Sequence, residues 1–193
     1  MRHAAPPPRR AALIAGVALL AATARPALAS PVPPAATPAA PPEVRAELPG
    51  AQLVGQGRLR WFGFLVYDAR LWALQPLAGS DPAQLPLALE LEYARRLAGR
   101  DIAERSIEEM RALGRFDDAD AQRWLQQMAA IFPDVDRGDR ITGVQRPGEA
   151  ARFFVNARLA GEVRDAVFTR LFFGIWLAPG TSQPALRAAL LGG

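Results

Sequence analysis

From residue 52 to 74 the chain runs QLVGQGRLRWFGFLVYDARLWAL, dense in aromatic and branched side chains and broken by Gly55, Gly57 and Gly63. Those glycines interrupt any helical period, so the stretch predicts two strands, or one long bent strand, with Gly63 at a turn or bulge. Beyond Gly63, simple alternation puts Leu65, Tyr67, Ala69 and Leu71 on one face and Phe64, Val66, Asp68, Arg70 and Trp72 on the other. Large apolar groups on both faces predict a strand central in its sheet and covered on both sides. Residues 87–93 (LALELEY) alternate as a half-buried strand does, with Leu87, Leu89, Leu91 and Tyr93 inward and Glu90 and Glu92 outward.

After Gly99 the period becomes helical, with Ala103, Ile107, Met110 and Gly114 on one stripe. A second helix is predicted over 118–132, its inward face formed by Ala121, Trp124, Leu125, Met128 and Phe132. Acids at its start favour the helix dipole, and Pro133 stops it. Short strands follow over 140–145, 151–156 and 158–163, the last two as a hairpin. A helix over 165–176 then presents Phe168, Leu171, Phe172, Ile175 and Trp176, and a short one over 182–191 closes the chain. Strands, helices, strands, helices: this order predicts an α+β domain, a large antiparallel sheet with a layer of helices on one face.

The N-terminus reads differently. A basic segment, MRHAAPPPRR, precedes 14 apolar residues over 11–24 and the small-residue run Ala27-Leu28-Ala29. These are the parts of an export signal over 1–29, and the apolar run is shorter than the roughly 20 residues of a membrane span. The expectation is an exported, periplasmic protein with no stable span after cleavage; retention as a signal anchor is the alternative. Residues 30–46 open with SPVPPAATPAAPP, where six prolines in thirteen residues block both helix and sheet, so they predict an extended linker. The domain is placed at 47–193.

Composition narrows the chemistry. The chain contains neither cysteine nor lysine, and its single histidine is His3. It therefore offers no Cys/His zinc site, no Ser/His or Cys/His nucleophile pair, no lysine Schiff base and no P-loop lysine. The formal charge of +4 comes from Arg2, Arg9, Arg10 and Arg25; the other 19 arginines match the 19 acids. A neutral domain releases few counterions on a phosphate backbone, so nucleic acid is not an expected partner. Asp117, Asp118 and Asp120 lack the glycine and glutamate of an EF-hand loop and read as helix-start charge; Asp134, Asp136 and Asp139 read as a turn. No metal or cofactor is expected.

The stretch from Gly55 to Trp72 (GQGRLRWFGFLVYDARLW), with Leu91-Glu92-Tyr93-Ala94-Arg95-Arg96 and Phe172-Phe173-Gly174-Ile175-Trp176-Leu177, resembles the exported bacterial branch of the chalcone isomerase-like family. The resemblance implies an open-faced sandwich with a ligand cleft between sheet and helices. Plant enzymes of that family close a flavanone ring with an arginine, a threonine, a lysine and a tyrosine. Laid on this chain, those places fall near Leu59, at Tyr67, near Tyr93 and at Ile102. An isoleucine does not polarise a reacting group as a phenol would, and non-catalytic members of the fold bind fatty acids through arginine and tyrosine.

The resulting expectation is a non-catalytic domain that binds a small amphipathic carboxylate such as a fatty acid. Arg58 and Arg60, two apart on one strand, and Tyr67 and Tyr93, the only tyrosines, are the candidate ligand contacts. The competing readings are solvated or ion-paired arginines and core tyrosines. Two other functions stay open: an isomerase (intramolecular lyase) using Arg and Tyr, and an envelope interaction protein without a small-molecule ligand. The cluster Phe168, Phe172, Phe173 and Trp176 reads as core.

Overall fold

The computed structural model describes residue 1, residues 38–77 and residues 79–193. The expected export segment, apart from Met1, and residues 30–37 of the expected linker lie outside the described residues. Six strands succeed one another in space in the order of the sequence, every neighbouring pair antiparallel. They are β1 (Gln52–Trp61), β2 (Phe64–Ala73), β3 (Leu87–Tyr93), β4 (Arg140–Arg146), β5 (Ala150–Val155) and β6 (Arg158–Val163). Helices α2 (Gly99–Leu113) and α3 (Asp118–Ile131) are inserted between β3 and β4, and α4 (Ala166–Leu177) and α5 (Pro184–Leu190) follow β6. One short helix, α1 (Pro42–Glu47), precedes the sheet.

Local chemistry fixes the joints. Phe62 (φ 47°) and Gly63 (φ 82°) form the two-residue turn between β1 and β2, and Asn156 and Ala157, also at positive φ, form that between β5 and β6. Two successive residues with positive φ match the right-handed twist of the flanking strands, which makes these turns tight. Asp117 caps α3 by accepting the Asp120 N–H at 2.7 Å, and Asp165 caps α4 by accepting those of Val167 and Phe168.

One face of the sheet carries Ala69, Leu71, Leu87, Leu89, Leu91 and Phe153 against Met110, Trp124, Met128, Phe168, Leu171 and Phe172 of the helices, in one continuous core. Close approach requires glycine on β1: a Cβ at Gly55 would stand 2.3 Å from the Ala189 carbonyl oxygen, so α5 lies directly on the strand backbone. The first glycines of the β1 motif thus serve helix packing.

The opposite face corrects two expectations. The strict alternation expected for β2 is broken: Leu59 pairs with Tyr67 but Arg60 with Leu65, leaving Val66 as the extra residue of a bulge. A bulge re-aims side chains, and here Val66 joins Tyr67 on the helical side. The linker placed at 30–46 also ends too late. Its last residues form α1, whose Val44 packs with Leu48, Trp72, Ala88, Val144 and Phe154 as a second, smaller core. The domain therefore begins near residue 40, and the second cover expected for β2 is supplied by α1.

Composition hid this helix because only Glu43, Val44 and Glu47 anchor it. Thr142 and Arg140 donate to the buried Glu43 carboxylate, and Arg146 and Arg152 donate to Glu47. Beside them, Glu90 accepts from Arg70 and from the Trp72 indole N–H, so the outer face is laced with arginine–carboxylate pairs. Gly55→Ala should destabilise the domain by about 2 kcal/mol through overpacking, read as a lower urea midpoint with the slope unchanged.

Candidate functional site

The bulge and the end of α2 leave a cavity of about 510 Å³ between sheet and helices. Alternation along β1 supplies Leu59 and Trp61, and the bulge supplies Val66 beside Tyr67. Tyr93 ends β3, with Arg95 and Leu97 just beyond it. From α2 come Asp101, Ile102, Arg105, Ser106 and Glu109, spaced so that one helical stripe faces the opening. Ile175 and Trp176 of α4, with Ser182 and Gln183 ahead of α5, complete the wall.

The floor is aromatic and polar at once. Tyr67 and Tyr93 are both buried, their rings edge to face with centroids 5.9 Å apart, and the Trp176 indole N–H donates to the Tyr67 hydroxyl at 2.9 Å. Burial pushes the Tyr67 phenol up to about 12; the Trp176 bond pulls against that shift and the Glu109 carboxylate adds to it. Tyr93 is raised further, by its complete burial and by Tyr67 beside it. Both are therefore neutral donors at physiological pH.

The rim is charged. Arg105 pairs with Glu108 and Glu109 and lies 5.8 Å over the Trp61 ring. Arg95 is exposed and forms no ion pair among the described residues. Ser106 donates to the Ile102 carbonyl within its own helix. Such a lining suits an apolar body with one anionic or hydrogen-bonding end. Among the described residues no group of three or more His, Cys, Asp or Glu side chains is placed to hold a metal ion.

The structure brings Tyr67 and Tyr93 together in the cavity but sends Arg58 and Arg60 elsewhere. Arg58 stands opposite Asp68 on the outer face and pairs with it at 2.6 Å, and Arg60 donates to the Gly63 carbonyl at the hairpin tip. In R-L-R-W the intervening Leu59 turns toward the core and the cavity while the half-exposed Trp61 stands at the cavity's edge, which leaves the two arginines on the other face. Sequence reasoning missed Arg95 and Arg105 as the cations of the cleft. It also assigned Trp176 to the core alone, although this ring is cavity wall as well. All four places at which the resemblance set the plant residues, Leu59, Tyr67, Tyr93 and Ile102, line this one cavity.

Because both phenols are held above the unfolded value near 10, the unfolded chain loses these protons first. Their contribution to stability is whole below about pH 10 and is lost as pH rises through about 12. Phenolate absorbance should accordingly stay low at about pH 11 in the folded protein and appear together with alkaline unfolding; a phenolate signal preceding the loss of circular dichroism would contradict the burial.

Residues 40–192 match the profile of the chalcone isomerase-like family. A protein of Haemophilus influenzae, itself uncharacterised, is 31% identical over 141 residues, covering 73% of this chain and 68% of that one. The crystal structure of an Arabidopsis thaliana fatty-acid binding protein superposes with a TM-score of 0.60 at 17% identity, covering 75% of this chain and 88% of that chain. At that identity the likeness speaks for the fold, and it agrees with the six-stranded sheet and its helical layer. A family profile spanning nearly the whole described domain, with a relative above 30% identity, leads to one assignment: the chain belongs to the chalcone isomerase-like family.

Proposed function

We propose that this chain is an exported, non-catalytic binding protein that holds a fatty acid or a similar amphipathic carboxylate. The apolar tail lies between Leu59, Val66, Ile102 and Ile175, and the carboxylate meets Arg95 at the rim, with Arg105 beside it. The observation that carries the reading is the guanidinium of Arg95, without an ion pair among the described residues, at the opening of an aromatic cavity. A guanidinium without a carboxylate partner offers two parallel N–H donors to an incoming one. The fatty-acid binding protein of Arabidopsis shares the architecture, which supports this choice of ligand.

The wall of the cavity supports binding without turnover. Leu59 and Ile102 stand where the resemblance sets an arginine and a tyrosine, so neither a clamp nor a phenol is present at those places. Tyr67 remains as a hydroxyl donor, which orients a ligand head without moving a proton along a reaction.

Export is supported by the basic start, the apolar run over 11–24 and Ala27-Leu28-Ala29. Sequencing the N-terminus of the protein recovered outside the cytoplasm should begin at Ser30; an intact Met1 would replace cleavage with anchoring.

Delipidated protein should bind a fluorescent fatty acid that oleate displaces. Arg95→Ala should weaken binding about tenfold, and Ile102→Trp should abolish it by filling the cavity. Changing Arg58 and Arg60 together to alanine should leave affinity unaltered. No bound lipid in the native protein and no displacement would refute the reading, and turnover of a chalcone-like substrate that is lost in Tyr67→Phe would favour the isomerase instead.

A further inference from the structure

The hairpin that joins β1 to β2 carries its largest apolar side chains outward. Phe62 is 85% exposed, Phe64 68% and Trp61 50%, whereas the other three tryptophans, Trp72, Trp124 and Trp176, are buried. Phe62 also occupies a left-handed backbone conformation, φ 47°, which bulky residues rarely adopt and which asparagine or glycine would accept more readily. Its ring meets only Trp61, edge to face with centroids 5.2 Å apart, and a phenylalanine so exposed in a conformation that disfavours it is explained by neither the fold nor the cavity.

At the tip Arg58 and Arg105 are paired, with Asp68 and with Glu108 and Glu109, whereas Arg60 and Arg95 form no ion pair among the described residues. Between Gly57 and Tyr67 the chain contains two arginines and no acid. Arg60 folds back onto the Gly63 carbonyl, which sets its guanidinium at the tip, and Arg105 lies over Trp61. Arg95, also exposed, stands at the same rim, because Trp61 belongs both to the tip and to the cavity wall.

We propose that this tip is a membrane-docking wedge: Trp61, Phe62 and Phe64 enter the headgroup region of an anionic lipid bilayer while Arg60 and Arg95 face lipid phosphates. Aromatic side chains with one wet and one apolar end settle at that depth, and arginine beside them is drawn to anionic lipid. A protein partner fits less well. Three partly exposed rings on a convex turn present roughly 400 Å², about half of what each side of a standard protein interface buries. A bilayer needs no complementary shape. Docking stands on the tip alone; as the route by which an amphipathic ligand passes Trp61 into the cavity, it rests on the function proposed above.

The test uses the chain from Ser30 onward, which lacks the apolar run over 11–24, and vesicles of phosphatidylethanolamine and phosphatidylglycerol. The protein should sediment with the vesicles and its tryptophan emission should shift to the blue, a change that Trp61→Phe removes because the remaining indoles are already buried. Phe62→Asn with Phe64→Thr suits the turn and the strand, so the melting temperature should not fall, yet vesicle affinity should drop at least tenfold. Fatty-acid displacement in solution should survive in the same double variant, since neither phenylalanine lines the cavity; docking and ligand binding thus fail separately. Absence of sedimentation, undiminished sedimentation of the double variant, or self-association through the tip without vesicles would each overturn the proposal.

Discussion

Apolar packing between a sheet and a helical layer has no preferred direction, whereas a hydrogen bond between two buried groups does. The bond from the Trp176 indole to the Tyr67 hydroxyl is such a directed tie between α4 and β2. Without it, the indole N–H and the phenol would each have to find a partner in the cavity instead of in the protein. The tie also decides what the cavity is. The rings it orients are the floor, so the contact that registers helix against sheet gives the binding space its neutral donor.

Around that point the site is assembled from features of quite different kinds. Gly55 lets α5 settle on β1, which brings Ser182 and Gln183 to the far wall. The Val66 bulge turns an extra apolar side chain into the space. A stripe of α2 brings Arg105 and Glu109, which pair with each other, and Arg105 also lies over the Trp61 ring. Of the two arginines that line the cavity, Arg105 is paired and Arg95 forms no ion pair among the described residues, which leaves a cation at the opening of a largely apolar recess.

Much of this architecture was legible in the chain. The observed limits of LALELEY are those read from its alternation, but the strand expected to be half-buried is covered on both faces: Ala88 joins the smaller core under α1, and Glu90 is buried against Arg70 and Trp72. Helical stripes around Trp124 and Phe168 identified α3 and α4, and the paired positive-φ residues sit where turns were expected. Three things were not legible. A bulge is a register event between two strands, so no single-strand pattern contains it. The inward turn of Leu59, with Arg58 and Arg60 outward, follows from Asp68 standing across the hairpin. And α1 lies in a proline-rich segment whose composition opposes structure; it forms because Glu43 and Glu47 find arginines far along the chain. Tyr67 and Tyr93 were singled out because of their scarcity and do line the cavity, but Arg95 and Arg105, which line it too, looked like any other surface arginines.

The ionic seat of α1 bears on how the molecule comes into being. One oxygen of Glu43 accepts from Arg140 and Thr142, and Glu47 accepts from Arg146 and Arg152, all about a hundred residues downstream. A contact of that span cannot exist until both ends have been made. The first-made turn of the domain must therefore wait, solvated and unattached, until β4 and β5 have left the ribosome and paired. The helix made first thus takes its place only after two much later strands have taken theirs, so the earliest part of the domain is not the earliest to be fixed.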